Sequence, residues 1–109
     1  MNLKWKNMRP ILIKMREDIA KDPFMKRCVY TGDTQNVSWE HCWIYAGKQI
    51  NEPWAIVPLR RDLNVNMTRE VKDFCQLVSL RRATKEDLKK YPKKDWKQIK
   101  RYLTKKIVL

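Results

Sequence analysis

Apolar residues recur at helical spacing through the second half of the chain. Four of them follow one another at i, i+3, i+4 and i+7: Val71, Phe74, Cys75 and Val78. This spacing places them along one side of an α-helix and predicts a buried stripe. Thr68 precedes the stripe and is a good N-cap, because its hydroxyl accepts a hydrogen bond from a backbone N–H of the first turn. We therefore predict a long helix after Thr68.

Two further helices are predicted nearer the C-terminus. Thr84 and Asp87 have the spacing of a capping box, and the short helix that they open ends at Tyr91–Pro92. The last helix covers roughly residues 93–106. Its apolar stripe consists of Trp96, Ile99, Leu103 and Ile107.

The N-terminal segment predicts one more helix. It begins at Pro10, a residue that suits the first helical position, and ends near Asp22–Pro23, since the residue before a proline avoids helical geometry. Its apolar side consists of Ile11, Leu12, Met15 and Ile19.

The middle of the chain has a different pattern. Residues 37–45 and 54–58 are rich in Val, Trp, Ile and Tyr, and each predicts a strand. A turn at residues 46–49 separates them, so we expect an antiparallel hairpin with a long loop. Residues 28–33 predict a short extended piece and a turn, in which Gly32 meets a backbone requirement. The predicted fold class is α+β, a small hairpin held among helices.

Length and composition limit the class of protein. We expect 109 residues to form a single domain, residues 1–109, and 43% hydrophobic residues is too much for a disordered chain. No apolar run approaches the roughly 20 residues that span a bilayer. The basic N-terminus does not have the pattern of a secretory signal, because Lys14 and Arg16 interrupt its apolar run.

The cysteines and tryptophans are expected to be core residues. Cys28, Cys42 and Cys75 form no CxxC pair, and we predict reduced, buried thiols of a cytoplasmic protein. An alternative is a metal site of Cys28, Cys42 and His41. The tryptophans lie mainly on predicted strands and on a helix stripe, which favours packing over stacking on nucleic-acid bases.

The net charge of +13 is unevenly distributed. Residues 1–27 carry eight basic and three acidic residues. Residues 28–80 carry five basic and six acidic residues, and residues 81–109 carry twelve basic and three acidic residues. Basic segments around a near-neutral centre are typical of proteins that bind nucleic-acid phosphates through counterion release. A soluble basic surface or a ribosome-associated protein is the alternative. A membrane surface is less favoured, because no strongly apolar helix face accompanies the lysines.

The only histidine, His41, directly follows Glu40. On a regular strand their side chains would point to opposite faces, so they can serve one site only where the strand ends or bends. Asn51, Asn64 and Asn66 lie downstream, and their amide oxygens suit Mg²⁺ or Mn²⁺ better than Zn²⁺. A neutral imidazole and a hard cation together favour phosphodiester hydrolysis.

These residues resemble the HNH family of ββα-metal nucleases, in particular its small phage-encoded members. The resemblance covers residues 28–66. It begins with Cys28-x-x-Thr31-Gly32, continues through Trp39-Glu40-His41 and Tyr45-Ala46-Gly47-Lys48-Gln49-Ile50-Asn51-Glu52-Pro53-Trp54, and closes with Ile56-Val57-Pro58-Leu59-x-x-x-Leu63-Asn64. It implies an HNH-like core flanked by basic helical segments, residues 1–27 and 67–109.

The resemblance implies a DNA endonuclease with one divalent ion, Mg²⁺ or Mn²⁺ and not Zn²⁺. His41 would be the general base, and Glu40 and Asn64 the metal ligands. Asn64 stands where the family has a closing histidine. Ala55 occupies the slot of the family's middle asparagine, and Asn51 is the best local substitute for it.

The nucleic-acid contacts are expected in two places. Arg60 and Arg61 follow the second strand and could clamp the scissile phosphate. The C-terminal basic helix would add backbone contacts through Lys93, Lys94, Lys97, Lys100 and Arg101. Because the closing histidine is missing, the alternative is a catalytically silent protein that binds nucleic acid in phage recombination, replication or packaging. A host-takeover protein that binds another protein is a third reading.

Overall fold

Helices and strands alternate along residues 13–107, which are the residues that the computed structural model describes. The helices are α1 (Ile13–Lys21), α2 (Arg61–Val65), α3 (Arg69–Arg82), α4 (Lys85–Lys89) and α5 (Trp96–Ile107). The strands are β1 (Val37–His41), β2 (Ile44–Tyr45), β3 (Lys48–Gln49) and β4 (Ile56–Arg60). Short 3₁₀ turns cover Pro23–Lys26 and Pro53–Ala55. The predicted α+β class is confirmed, and no helix in this part of the chain is long and apolar enough to cross a membrane.

The central sheet is the predicted antiparallel pair of strands, but the strands have different bounds from those predicted. β1 pairs with β4, and Trp39 lies opposite Pro58. The first strand was expected to reach residue 45, but it ends at His41. Cys42 turns into the core, where it is 1% exposed, and its N–H still donates to Ala55 O at 2.9 Å.

A second, two-residue hairpin lies inside the long loop. β2 pairs with β3, so that Tyr45 faces Lys48. Both turn residues have positive φ, 54° at Ala46 and 80° at Gly47. Positive φ at both positions is the geometry that suits the right-handed twist of a two-residue hairpin.

The turn before β1 has the predicted glycine geometry. Gly32 has a φ of 82°, a backbone conformation that residues with a Cβ atom rarely adopt. Its N–H donates to Cys28 O at 2.9 Å. The Cys28 sulfur accepts the backbone N–H groups of Thr31 at 3.5 Å and Arg60 at 3.2 Å. Burial raises the pKa of this thiol, but these hydrogen bonds bring it below its usual value.

α3 is the helix around which the core is built. The Thr68 hydroxyl accepts the Val71 N–H at 3.2 Å, as predicted. Val71 and Cys75 are buried, whereas Phe74 and Val78 are only partly buried. Further buried residues lie outside the predicted stripe, namely Asp73, Leu77, Ser79 and Leu80. The helix is buried on several sides because both the β-strand layer and α5 pack against it.

The C-terminal helices follow the sequence pattern with one shifted boundary. Thr84 and Asp87 form the predicted capping box. α5 begins at Trp96 rather than at residue 93, because the Asp95 carboxylate accepts the Gln98 N–H at 3.1 Å and caps the helix there. The predicted stripe faces the core, with Trp96 and Leu103 buried.

The N-terminal helix packs on the opposite side of the sheet. α1 ends at Lys21, before Asp22–Pro23, as predicted. Ile19 is buried together with Met25 and Ile56 in a small second core. The predicted start at Pro10, with Ile11 and Leu12, lies outside the described residues.

The core predictions for the cysteines and tryptophans are confirmed within residues 13–107. Cys28, Cys42 and Cys75 are free thiols and buried. The tryptophans at 43, 54 and 96 are buried, while Trp39 is partly buried against the second core. Trp96 meets both Trp43 and Trp54 edge to face, with ring centroids 5.1 and 6.0 Å apart.

Candidate active site

His41 lies at the end of β1, opposite Ile56, and its ring meets Asn51. The Nε2 atom of His41 is 3.3 Å from Asn51 Oδ1. An amide oxygen only accepts hydrogen bonds, so a neutral imidazole in this contact carries its hydrogen on Nε2. The basic lone pair of that tautomer is then on Nδ1. The structure thus brings together the two residues to which the resemblance assigned catalytic roles.

The loop that carries Asn51 is tied to the core on both sides of that residue. Ile50 is 1% exposed, and its N–H donates to Trp43 O at 2.9 Å. The Trp43 indole N–H in turn donates to Ser79 Oγ of α3 at 2.7 Å. Trp54 is buried a few residues further on. These anchors hold the amide at a fixed place against the imidazole.

Glu40 points to the other face of β1, towards α3. Its side chain is only 7% exposed, and its Oε1 lies 3.9 Å from Lys72 Nζ. The same ammonium donates to His41 O at 3.2 Å. Burial, with a smaller contribution from the negative charge of Glu40, raises the pKa of the nearby Cys75 thiol to about 12. Burial also raises the pKa of Cys42 well above its usual value.

Asn64 of α2 lies on the same face of the sheet as Glu40. Its Nδ2 donates to Ser38 Oγ at 3.0 Å, and Ser38 and Glu40 are two residues apart on β1. The Ser38 hydroxyl donates its one hydrogen to Leu59 O at 2.8 Å, so it can only accept from Asn64. This fixes the orientation of the amide. The Asn64 Oδ1 atom is buried and accepts no hydrogen bond.

Glu40 and Asn64 supply the kind of oxygen donors that a hard divalent ion prefers, on one face of the sheet. A buried carboxylate and a buried amide oxygen without a hydrogen bond are ligands that Mg²⁺ and Mn²⁺ accept, and water or substrate phosphate commonly completes their shell. No group of three or more His, Cys, Asp or Glu side chains within residues 13–107 is placed to hold a metal ion. The alternative site of Cys28, Cys42 and His41 therefore finds no support in the described residues.

The two arginines after β4 differ in their surroundings. Arg60 pairs with Asp33 at 2.8 Å and with Asp62 at 2.5 Å. These contacts raise its pKa further and neutralise its charge within the protein. Arg61 is exposed, and its backbone N–H donates to Asn36 O at 2.7 Å. Of the pair, Arg61 is the one whose side chain faces solvent.

The basic residues of α5 form a row on the solvent side of the helix. Lys97, Arg101 and Lys105 are exposed and follow at i, i+4 and i+8, so they lie along one face. Lys100 is also exposed. Lys93 and Lys94 precede the helix, in the turn before Asp95. We call Lys97, Arg101 and Lys105 the basic row.

Two residues near the site were not anticipated from the sequence. Lys72 lies on α3 and contacts Glu40 and His41, which are 32 and 31 positions earlier in the chain. Ser38 fixes the Asn64 amide. The predicted helix after Thr68 includes Lys72, but nothing in the sequence shows that this lysine approaches Glu40. Such contacts depend on how α3 crosses the sheet.

No family model, curated protein or solved structure matches the chain. The structure brings His41 to Asn51 on one face of β1 and places Glu40 and Asn64 on the other face. The resemblance to HNH nucleases remains an expectation based on residues 28–66.

Proposed function

We propose that the chain is a metal-dependent, HNH-like endonuclease that hydrolyses DNA phosphodiester bonds. The observation that carries the proposal is the contact between His41 Nε2 and Asn51 Oδ1 at 3.3 Å. It holds an imidazole at a strand end in a tautomer whose other nitrogen is basic. The order β1, β4, α2 around this point agrees with the ββα core that the resemblance implies.

In this proposal His41 is the general base. Its Nδ1 takes a proton from water, and the resulting hydroxide attacks phosphorus while the opposite P–O bond breaks. Asn51 keeps the ring oriented and stabilises the positive charge that the imidazole acquires. Glu40 and Asn64, on the other face of β1, would hold the divalent ion, which would supply charge stabilisation for the phosphate and leaving-group oxygens. The scissile phosphate would therefore have to bind at the end of β1, where groups from both faces of the strand can reach it. Arg61 and the basic row would bind the flanking phosphates.

Nicking of supercoiled plasmid in the presence of Mg²⁺ or Mn²⁺ tests this proposal. We expect nicking by the wild type, no nicking in EDTA, and a rate about 10²–10⁴ lower for His41→Ala, the usual contribution of a general base. Asn51→Ala should also be slow. Glu86→Ala is the control, because Glu86 is exposed on α4, belongs to neither the proposed metal site nor the basic row, and should leave the rate unchanged. Wild-type protein that nicks with neither ion, or a fully active His41→Ala, contradicts the proposal.

The second candidate is a protein that binds nucleic acid without cutting it. It is favoured by the ion pair of Lys72 and Glu40, which already places a cation beside the carboxylate, and by the basic row. Trp96 and Leu103 are core residues, so the row is better tested by surface substitution than by truncation. Replacing the three residues of the row with Gln should reduce the slope of log K against log salt by roughly 2–3. Binding of this kind with no cleavage would favour the second candidate.

A further inference from the structure

Lys72 connects the two residues of the candidate site that lie on β1. Its ammonium is 3.9 Å from the Glu40 carboxylate and 3.2 Å from the carbonyl oxygen of His41. The Glu40 side chain is 7% exposed and that of Lys72 is 29% exposed. The lysine therefore approaches a buried carboxylate from a partly open side.

The Lys72 ammonium thus already lies close to the position where the metal ion is expected to bind. A divalent ion bound to Glu40 and to the buried oxygen of Asn64 would stand within a few ångströms of the ammonium. Like charges at such a distance repel strongly where the surroundings exclude water, because the effective dielectric constant is well below that of bulk water. The carboxylate cannot keep the ammonium and the divalent ion at the same distance without that penalty.

We propose that Lys72 is an internal competitor of the divalent ion at Glu40. In the metal-free protein its ammonium balances the buried carboxylate, and on metal binding it moves away from Glu40 into solvent. The flexible four-carbon side chain and its open side permit this movement. The inference rests on the proposed function, since it assumes that Glu40 and Asn64 bind the ion.

Mn²⁺ binding, measured by electron paramagnetic resonance and by titration calorimetry without nucleic acid, tests the competition. Lys72→Met removes the ammonium, and we expect Mn²⁺ to bind at least tenfold more tightly than to the wild type. Lys72→Arg keeps the charge and should bind no more tightly than the wild type. Lys89→Met is the matched control, because it removes one lysine from an exposed ion pair with Glu86 and should leave the affinity unchanged.

The outcomes separate this inference from the proposed function. Equal Mn²⁺ affinity in the wild type and in Lys72→Met overturns the competition but leaves the metal site intact. Weaker binding by Lys72→Met also overturns it, since Lys72 would then support the site. If neither protein binds Mn²⁺, the metal site and the proposed function fail together. Should Lys72→Met not fold, Lys72→Gln keeps a donor for the His41 carbonyl and takes its place, with the same tighter binding expected.

Discussion

Glu40 and Asp73 are two buried acids beside or on α3, and their surroundings differ. The Asp73 side chain is 5% exposed, and its carboxylate lies 2.6 Å from the Lys106 ammonium and 3.9 Å from Arg69. Lys106 belongs to α5, so this ion pair ties α5 to α3. The negative charge of Asp73 raises the pKa of Lys106. Asp73 has a structural explanation in the docking of one helix on another.

Glu40 has neighbours of another kind. Its ammonium partner, Lys72, is 3.9 Å away, beyond hydrogen-bond distance. The adjacent residue is His41, and the buried Asn64 oxygen lies on the same face of the sheet. The difference teaches that burial of an acid does not by itself indicate a functional site. The chemistry of the surrounding side chains decides between a structural and a functional role.

The largest expected effect separates the two acids by activity. Glu40→Gln should lower Mg²⁺-dependent plasmid nicking about 10²-fold or more, because it removes the charged ligand of the proposed site. Asp73→Asn should nick at the wild-type rate per folded molecule. Rates are measured well below each variant's unfolding temperature. Equal losses in both variants would mean that the comparison does not distinguish function from structure.

Stability should separate the same two variants in the opposite direction. Asp73→Asn leaves Lys106 and Arg69 without their shared carboxylate and should cost about 2 kcal/mol, at the lower end for broken buried pairs because both cations reach solvent. That corresponds to a fall in Tm of roughly 10 °C. Glu40→Gln removes the cost of burying a charge and should change stability by less than about 1 kcal/mol. Urea unfolding measures both, and a larger loss for Glu40→Gln contradicts the prediction.

The sequence predicted the locally determined features of this molecule. Thr68 and the Thr84–Asp87 capping box set helix starts through contacts three residues apart, and both are present. The predicted start of α5 at residue 93 was wrong because Asp95 caps the helix, which therefore begins at Trp96. The predicted first strand was too long because Trp43 leaves the sheet and donates to Ser79. A contact between residues so far apart in the chain cannot be predicted from the local residue pattern.

The candidate site was predictable only in part, for the same reason. The neighbouring pair Glu40 and His41 could be assigned from the sequence, together with the need for a strand end. That Asn51 meets His41 depends on a loop folded over the core. That Lys72 approaches Glu40 depends on the crossing of α3 over the sheet. Long-range packing, which the residue pattern does not encode directly, determines both contacts.

Alkaline pH should lower the free energy of unfolding through Cys42 and Cys75, the two buried thiols whose pKa values Glu40 helps to raise. The pKa of Cys75 is raised to about 12 and that of Cys42 is raised as well, whereas an unfolded thiol titrates near 8.5. Above about pH 9 the unfolded chain therefore loses protons that the folded one keeps, so stability falls as pH rises towards 12. Each thiol contributes about 1.4 kcal/mol per pH unit.

Unfolding by urea between pH 8.5 and 10 measures this slope. Cys75→Ala should make it less steep by the contribution of one thiol. Asp73→Asn should leave the slope near pH 9 unchanged and alter it only towards pH 10, where the raised pKa of Lys106 is lost with its partner. When the slopes of the variants are compared, the contributions of the lysines and tyrosines that titrate alike in all of them cancel. An unchanged slope in Cys75→Ala would show that this thiol does not cause the alkaline destabilisation.

The smallest effect concerns the β2–β3 turn, which involves neither acid and gives a baseline for stability. Ala46 has a φ of 54°, which is unfavourable for alanine and well tolerated by asparagine. Ala46→Asn should therefore stabilise the protein by about 0.5–1 kcal/mol in urea unfolding, with nicking and Mn²⁺ affinity unchanged. Ala20→Asn is the matched control, because the same substitution at an exposed position of α1 should destabilise through lower helix propensity. A destabilised Ala46→Asn would show that the turn does not have this geometry in solution.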